Sequence, residues 1–200
     1  MTGLTLAGRP PVFAVVFMML ALLALLAGCA VTQRQDMAGQ PAVLPLAPPA
    51  GPARHIVQQL TATWTDRQET LLCVLELDAR HIAMAGLTNE GLSLFSLSYD
   101  GHTLTADKSP LLPAAVAPEF IMADLQLVYW PVAELKKILP AGWRLETGPG
   151  HRMLYRQDAR KVEIRYLSPD IPWPRDVELI HHQYRYRLHI KTLSYDVLPE

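Results

Sequence analysis

Cys29 and Cys73 are the residues best suited to covalent chemistry, and they are the chain's only two cysteines. Cys29 follows Leu26-Ala27-Gly28 at the end of a long apolar run. Cys73 lies within Leu71-Leu72-Cys73-Val74-Leu75 with no cationic neighbour to favour a thiolate, so it reads as a small apolar core residue. Among the seven histidines, His181, His182 and His189 raise a metal site. Adjacent residues on a strand point to opposite faces, and Glu178 alone stands at a ligand-like offset, so no metal is expected. Ser93, Ser96 and Ser98 fall within a strand-like run and lack the strand–turn–helix setting of a hydrolase nucleophile. Asp100-Gly101 is turn chemistry. Arg144, Arg152, Arg156, Arg165, Arg185 and Arg187 read as solvated alternates of apolar strand positions, or as holders of an anionic head group at a cavity mouth. No catalytic constellation emerges, and an enzyme is not expected.

The first 28 residues explain Cys29. Arg9 and the amino terminus make a short positive region, and Val12–Leu26 supply an apolar run of about 15 residues. That is the length of a secretion signal and short for a membrane-spanning helix. Leu26-Ala27-Gly28-Cys29 resembles the lipobox of bacterial lipoproteins. The resemblance implies cleavage before Cys29, a diacylglycerol on its thiol and an acyl group on its new amino terminus, with no other cofactor. Several chains make attachment effectively stable, where one alone binds marginally. Ala30, where an Asp would imply inner-membrane retention, implies the outer membrane, with the domain facing the periplasm. Removing residues 1–28 takes away one Arg and no acid from 18 basic and 19 acidic residues, leaving a net charge of −2. Such a balance gives no basis for nucleic-acid binding.

Residues 29–53 carry the lipidated cysteine and a Pro/Ala-rich stretch with few large side chains, expected to be a flexible tether. The folded domain is expected over residues 54–200. Ile56–Trp64, Glu69–Leu77, Ile82–Leu87, Leu92–Tyr99 and His102–Ala106 alternate apolar and polar residues, with Asp100-Gly101 as a two-residue hairpin turn. From Pro118 the period changes: Phe120, Ile121, Leu125, Val128 and Tyr129 recur at helical spacing, and Pro131 separates a second helix carrying Val132, Leu135, Ile138 and Leu139. Strands resume at Trp143–Thr147, Arg152–Arg156, Lys161–Tyr166 and Tyr184–Lys191. The expectation is an α+β domain: a curved antiparallel sheet, an unclosed half-barrel of about 9–11 strands, covered by two or three short helices.

This order resembles the LolA/LolB superfamily of periplasmic lipoprotein carriers and outer-membrane receptors. Leu87-Thr-Asn-Glu-Gly91 with Leu92-Ser-Leu94 resembles the receptor's Asn-Pro-Leu-Gly loop and next strand. Trp130-Pro131-Val-Ala-Glu-Leu135 resembles its second-helix start. Leu104–Leu112, Ala123–Leu127, Tyr129-Trp130-Pro131 and Trp143-Arg144-Leu145 resemble an uncharacterised family of Gram-negative lipoproteins often encoded beside aryl-polyene and fatty-acid-synthase-like genes. The resemblance implies binding of a hydrophobic, lipid or acyl molecule without catalysis, with Trp64, Leu75, Phe95, Leu125, Trp130, Tyr166 and Tyr186 as candidate cavity lining. It also implies a periplasmic carrier protein as a possible partner. The receptor's protruding loop leucine is replaced here by Glu90, which does not enter lipid cheaply. Leu87, Glu90 and Leu92 therefore form the candidate membrane or partner loop. The alternative is an accessory lipoprotein that scaffolds an envelope assembly or a lipid or pigment export machinery.

Overall fold

The period-two runs become strands of one antiparallel sheet in the computed structural model, which describes residues 44–112, 116–168 and 173–199. In chain order these are β1 (Arg54–Thr63), β2 (Gln68–Leu77), β3 (Ile82–Leu87), β4 (Ser93–Tyr99), β5 (Leu104–Lys108), then α1 (Pro118–Tyr129) and α2 (Val132–Ile138). They are followed by β6 (Trp143–Gly148), β7 (His151–Arg156), β8 (Ala159–Tyr166), β9 (Asp176–His181) and β10 (Tyr186–Val197). Among the described residues the ten strands run β5-β4-β3-β2-β1-β10-β9-β8-β7-β6, with β5 and β6 as unjoined edges. Ten strands and, among the described residues, two helices agree with the expected count. β9 is the strand that sequence alternation did not single out.

The first and last strands meet at the centre, with Leu60 opposite Ile190 and a bulge after Val57. Between β2 and β3 and between β4 and β5 the turn has four residues rather than two, and an aspartate closes each one. Asp78 Oδ1 accepts the amides of Arg80 and His81 at 2.6 and 2.8 Å. Asp100 Oδ1 does the same for His102 and Thr103 at 2.8 and 2.6 Å, while Gly101 takes φ +94. The expected two-residue turn at Asp100-Gly101 is thus corrected: the loop spans Asp100–Thr103, and the aspartate side chain joins the Asp100 N–H to Thr103 O backbone bond in closing it.

One face of the sheet carries Ile56, Leu60, Leu75, Ile82, Phe95, Val162, Leu179 and Ile190, all buried, and α1 packs into the same core. Pro118 starts α1 because its missing N–H is not needed there, and Pro131 ends it by forcing Trp130 into an extended conformation. Met122 through Val128 are all buried, so α1 is covered on more than one side. Part of the cover is the segment expected to be tether. The Gln126 amide pairs with both backbone groups of Ala47, accepting at 2.7 Å and donating at 2.9 Å. Trp130 Nε1 donates to Pro48 O at 2.9 Å, and the Tyr99 hydroxyl donates to Leu46 O at 3.2 Å. The expected tether boundary at residue 53 is therefore corrected: residues 44–53 belong to the packed unit, because side chains of α1, Trp130 and Tyr99 satisfy the backbone of Leu46–Pro48 and Leu198 N–H that of Ala53.

Candidate functional site

The tips of two hairpins define the site. Thr63 pairs with Gln68 on one side and with Arg187 on the other, which brings the β1–β2 and β9–β10 turns together. Between them lies an open cleft of about 540 Å³, lined by Thr63–Thr65, Ile180–His182 and Arg185–Arg187. Its aromatic floor joins Trp64 to Tyr186, with ring centres 6.0 Å apart. His181 stacks on Tyr184 at 4.3 Å and lies 5.2 Å from Tyr186. Phe120 of α1 meets Tyr184 edge-on at 5.2 Å.

Behind the cleft, the Tyr186 hydroxyl donates to Asp124, a buried carboxyl on α1. Burial pushes the Asp124 carboxyl up to about 7, against the opposing pull of the Tyr186 hydrogen bond. Burial and the adjacent carboxylate raise the Tyr186 phenol. The His181 ring is pushed down to about 4 by burial, assisted by the charges of His182 and Lys161. The Tyr184 amide points at His181 Nδ1 from 3.3 Å, so the neutral ring carries its proton on Nε2. The cluster therefore combines a neutral imidazole, a phenol and a carboxyl group that titrates near neutrality.

At the other end of α1, the last-turn carbonyls have no partners within the helix. Arg152 Nη1 donates to Leu127 O at 2.9 Å and Trp130 O at 2.8 Å, and the Tyr166 hydroxyl donates to Val128 O at 2.6 Å. A guanidinium there also meets the negative end of the helix dipole. This corrects the reading of Arg152 as a solvated alternate: it caps α1. Deeper in the sheet, Gln58 Nε2 donates to the Tyr129 hydroxyl at 2.9 Å and to Thr192 at 3.0 Å, and Trp173 stacks on Tyr129 at 3.8 Å.

Of the expected cavity lining, Leu75, Phe95 and Leu125 are 1% exposed and Trp130 3%. Side chains with so little accessible surface have no water-sized space beside them. These four are core, and their assignment to a cavity wall is corrected. The Phe95 ring covers Gly86, where an added Cβ would lie 2.1 Å from Cε1. Tyr166 is half-buried and holds α1. Trp64 and Tyr186 do come together, in the cleft. Leu87, the last residue of β3, is half-buried, while in the loop that follows Glu90 is exposed and Leu92 is 56% exposed. Thr88 Oγ1 accepts the amides of Glu90 and Leu92, both at 3.2 Å, and Gly91 takes φ +86. The ladder continues from Ser109 N–H to Leu94 O at 2.8 Å, which sets exposed Leu111 at the same end of the sheet as Leu92. Leu26, Ala27, Gly28 and Cys29 lie outside the described residues. Among the described residues no group of three or more His, Cys, Asp or Glu is arranged to hold a metal ion.

Sequence reasoning missed Asp124, Gln126 and the buried, neutral state of His181. A signal for the first two existed. In Ala123-Asp124-Leu125-Gln126-Leu127 the polar residues stand about 200° apart on a helix, so a helix covered on two sides must bury at least one of them.

The family model described as "Protein of unknown function (DUF3261)" matches residues 55–194. No curated protein matches the sequence. Among solved structures, the chain is similar to a LolA superfamily protein from Nitrosomonas europaea, with 8% identity over 74% of this chain and 87% of that one and a TM-score of 0.44. It is similar at 8% identity to an outer-membrane lipoprotein-sorting protein domain from Vibrio parahaemolyticus, described as putative, covering 74% and 88% of the two chains with a TM-score of 0.43. A DUF1329 family protein from Desulfovibrio piger aligns at 6% identity over 72% and 85%, with a TM-score of 0.33.

Proposed function

We propose a function for this chain, which belongs to the DUF3261 family: it is a lipid-anchored envelope protein that binds a hydrophobic or acyl-bearing molecule and performs no chemistry on it. Cys29 carries the diacylglycerol and N-acyl groups, the outer membrane holds them, and the half-barrel domain faces the periplasm. A periplasmic carrier protein delivers or collects the ligand. The observation that carries this reading is the cleft floored by Trp64 and Tyr186, whose Tyr186 hydroxyl reaches back to Asp124 of α1. Apolar surface covered there supplies affinity at roughly 25 cal/mol per Å². Asp124 and His181 are engaged with Tyr186 and Tyr184 and serve to shape the wall. Native mass spectrometry after gentle extraction, combined with displacement of a fluorescent fatty acid, tests the reading. Bound lipid, and displacement weakened by Trp64→Ala, are expected. Persistent absence of both sinks it. The mass of the mature N-terminal peptide checks the modification of Cys29.

A second reading, an accessory scaffold for an envelope assembly, draws on the closely packed core around Leu75, Phe95 and Leu125 and on the two unjoined sheet edges. An empty cleft with a stable co-purifying partner would replace the first reading with this one.

A further inference from the structure

We infer that the cleft between the β1–β2 and β9–β10 turns selects an amphiphile with an oxyanion head group, a phosphate or a carboxylate; this rests on the reading of the cleft as the ligand site. The polar groups around it are mainly donors. Arg185 brings a guanidinium group, Thr65 brings a hydroxyl, and His181, with Nδ1 facing the Tyr184 amide, carries a donor on Nε2, while Arg187 stands on the opposite face of the sheet. No aspartate or glutamate is among the lining residues. An ammonium head group would find no carboxylate in the lining itself, the nearby Glu178 and Glu163 being paired with Arg187 and His182. An oxyanion would find several donors, and hydrogen bonds to charged groups are roughly twice as strong as neutral ones. Trp64 and Tyr186, which share one face of the sheet, then offer the attached chain an apolar wall.

Arg185 is the residue on which selection turns. Arg187 Nη1 is already 3.0 Å from Glu178, and His182 stands 3.8 Å from Glu163. Arg185 makes no ion pair among the described residues. It also holds φ +56, a left-handed conformation in which glycine or asparagine would be more at ease. A long cation kept at such a turn, on the wall of a cleft, fits a residue held for what it binds rather than for the turn.

The test exposes the full chain, in phosphatidylcholine nanodiscs, to octyl photoprobes that differ only in head group: phosphate, carboxylate or trimethylammonium. Cross-linked peptides are mapped by mass spectrometry. The phosphate and carboxylate probes should label peptides containing Thr63–Thr65 and Ile180–Arg187 at least tenfold more than the ammonium probe. Arg185→Gly suits φ +56, so the melting temperature should hold or rise while labelling falls about tenfold. Unchanged labelling in that variant overturns the assignment to Arg185. Equal labelling by the ammonium probe overturns the oxyanion selectivity while leaving the ligand-site reading intact, and no cleft labelling by any probe overturns both. Complete competition by inorganic phosphate at the probe's own concentration would mark a free-anion site and overturn the amphiphile assignment.

Discussion

Replacing Asp124 with Asn should make the domain's stability climb more steeply with pH between about pH 4 and 6.5, where in the intact protein the Asp124 and His181 contributions offset each other. The Asp124 carboxyl is raised by burial from its ordinary value of 3.8 to about 7. Across that interval the native chain keeps a proton that the unfolded chain releases. Rising pH therefore favours unfolding, and about 4 kcal/mol of stability present below pH 4 is lost by pH 7. His181 works in the opposite sense. Its ring is pushed from 6.5 to about 4, mainly by burial, so the unfolded chain holds a proton that the native chain lacks. Stability from this group is present above pH 6.5 and falls away as the pH drops toward 4, by about 3 kcal/mol. The two slopes nearly cancel in the intact protein. Asp124→Asn retains an acceptor for the Tyr186 hydroxyl and removes the falling slope, which leaves a rise of about 3 kcal/mol toward neutrality. His181→Phe retains an aromatic ring beside Tyr184 and leaves the fall of about 4 kcal/mol. Urea unfolding followed by tryptophan emission, at half-unit steps from pH 4 to 8, measures both. Subtracting each variant's curve from the wild type removes the groups they share. A difference curve for Asp124→Asn that is flat with pH would refute the reasoning.

Gln126→Ala removes both hydrogen bonds to Ala47 and strands its N–H and C=O, so a loss of about 2–4 kcal/mol is expected. Hydrogen exchange should rise first across residues 44–50; unchanged protection there would contradict the docking. Gly86→Ala drives a methyl to within 2.1 Å of Phe95 Cε1 and should destabilise by about 1–3 kcal/mol in thermal melts, with part of the loss recovered on adding Phe95→Leu. Cys73 is wholly buried and its thiol is pushed up by that burial, so a thiol reagent at pH 8 should label it only after denaturant is added.

Local regularity made much of the fold readable. Leu71, Cys73, Leu75 and Leu77 alternate along β2, and Pro118 and Pro131 mark where the helices begin and break. β9 was hidden by its flanks: Pro169, Pro172 and Pro174 precede Val177, Leu179 and His181, and a histidine ends the inward row where a hydrophobe was sought. The docking of residues 44–50 had no local signal, because the partner of Ala47 is 79 residues away. The same limit separated Trp64 and Tyr186, which reach the cleft, from Leu75, Phe95, Leu125 and Trp130, which do not. All are large apolar or aromatic side chains on inward positions, and only the way α1 fills the sheet face decides between wall and core. Asp124 shows the limit most clearly: a lone acid on a helix reads as solvent-facing until its tyrosine arrives from a distant strand.

The junction of β1 with β10 has a consequence for how the chain reaches its native state. Gln58 and Thr192 touch across 134 residues, whereas β2 to β5 and β6 to β9 pair through neighbours in sequence. Each wing can assemble by short-range steps, but the wings become one sheet only when the last strand slots in beside the first, a long-range closure of the kind that slows folding. A polypeptide emerging amino terminus first from a narrow channel would hold two unfinished wings until β10 was through. Removing β10 would not trim an edge; it would take out the keystone and leave two wings joined only through the helix that both pack against.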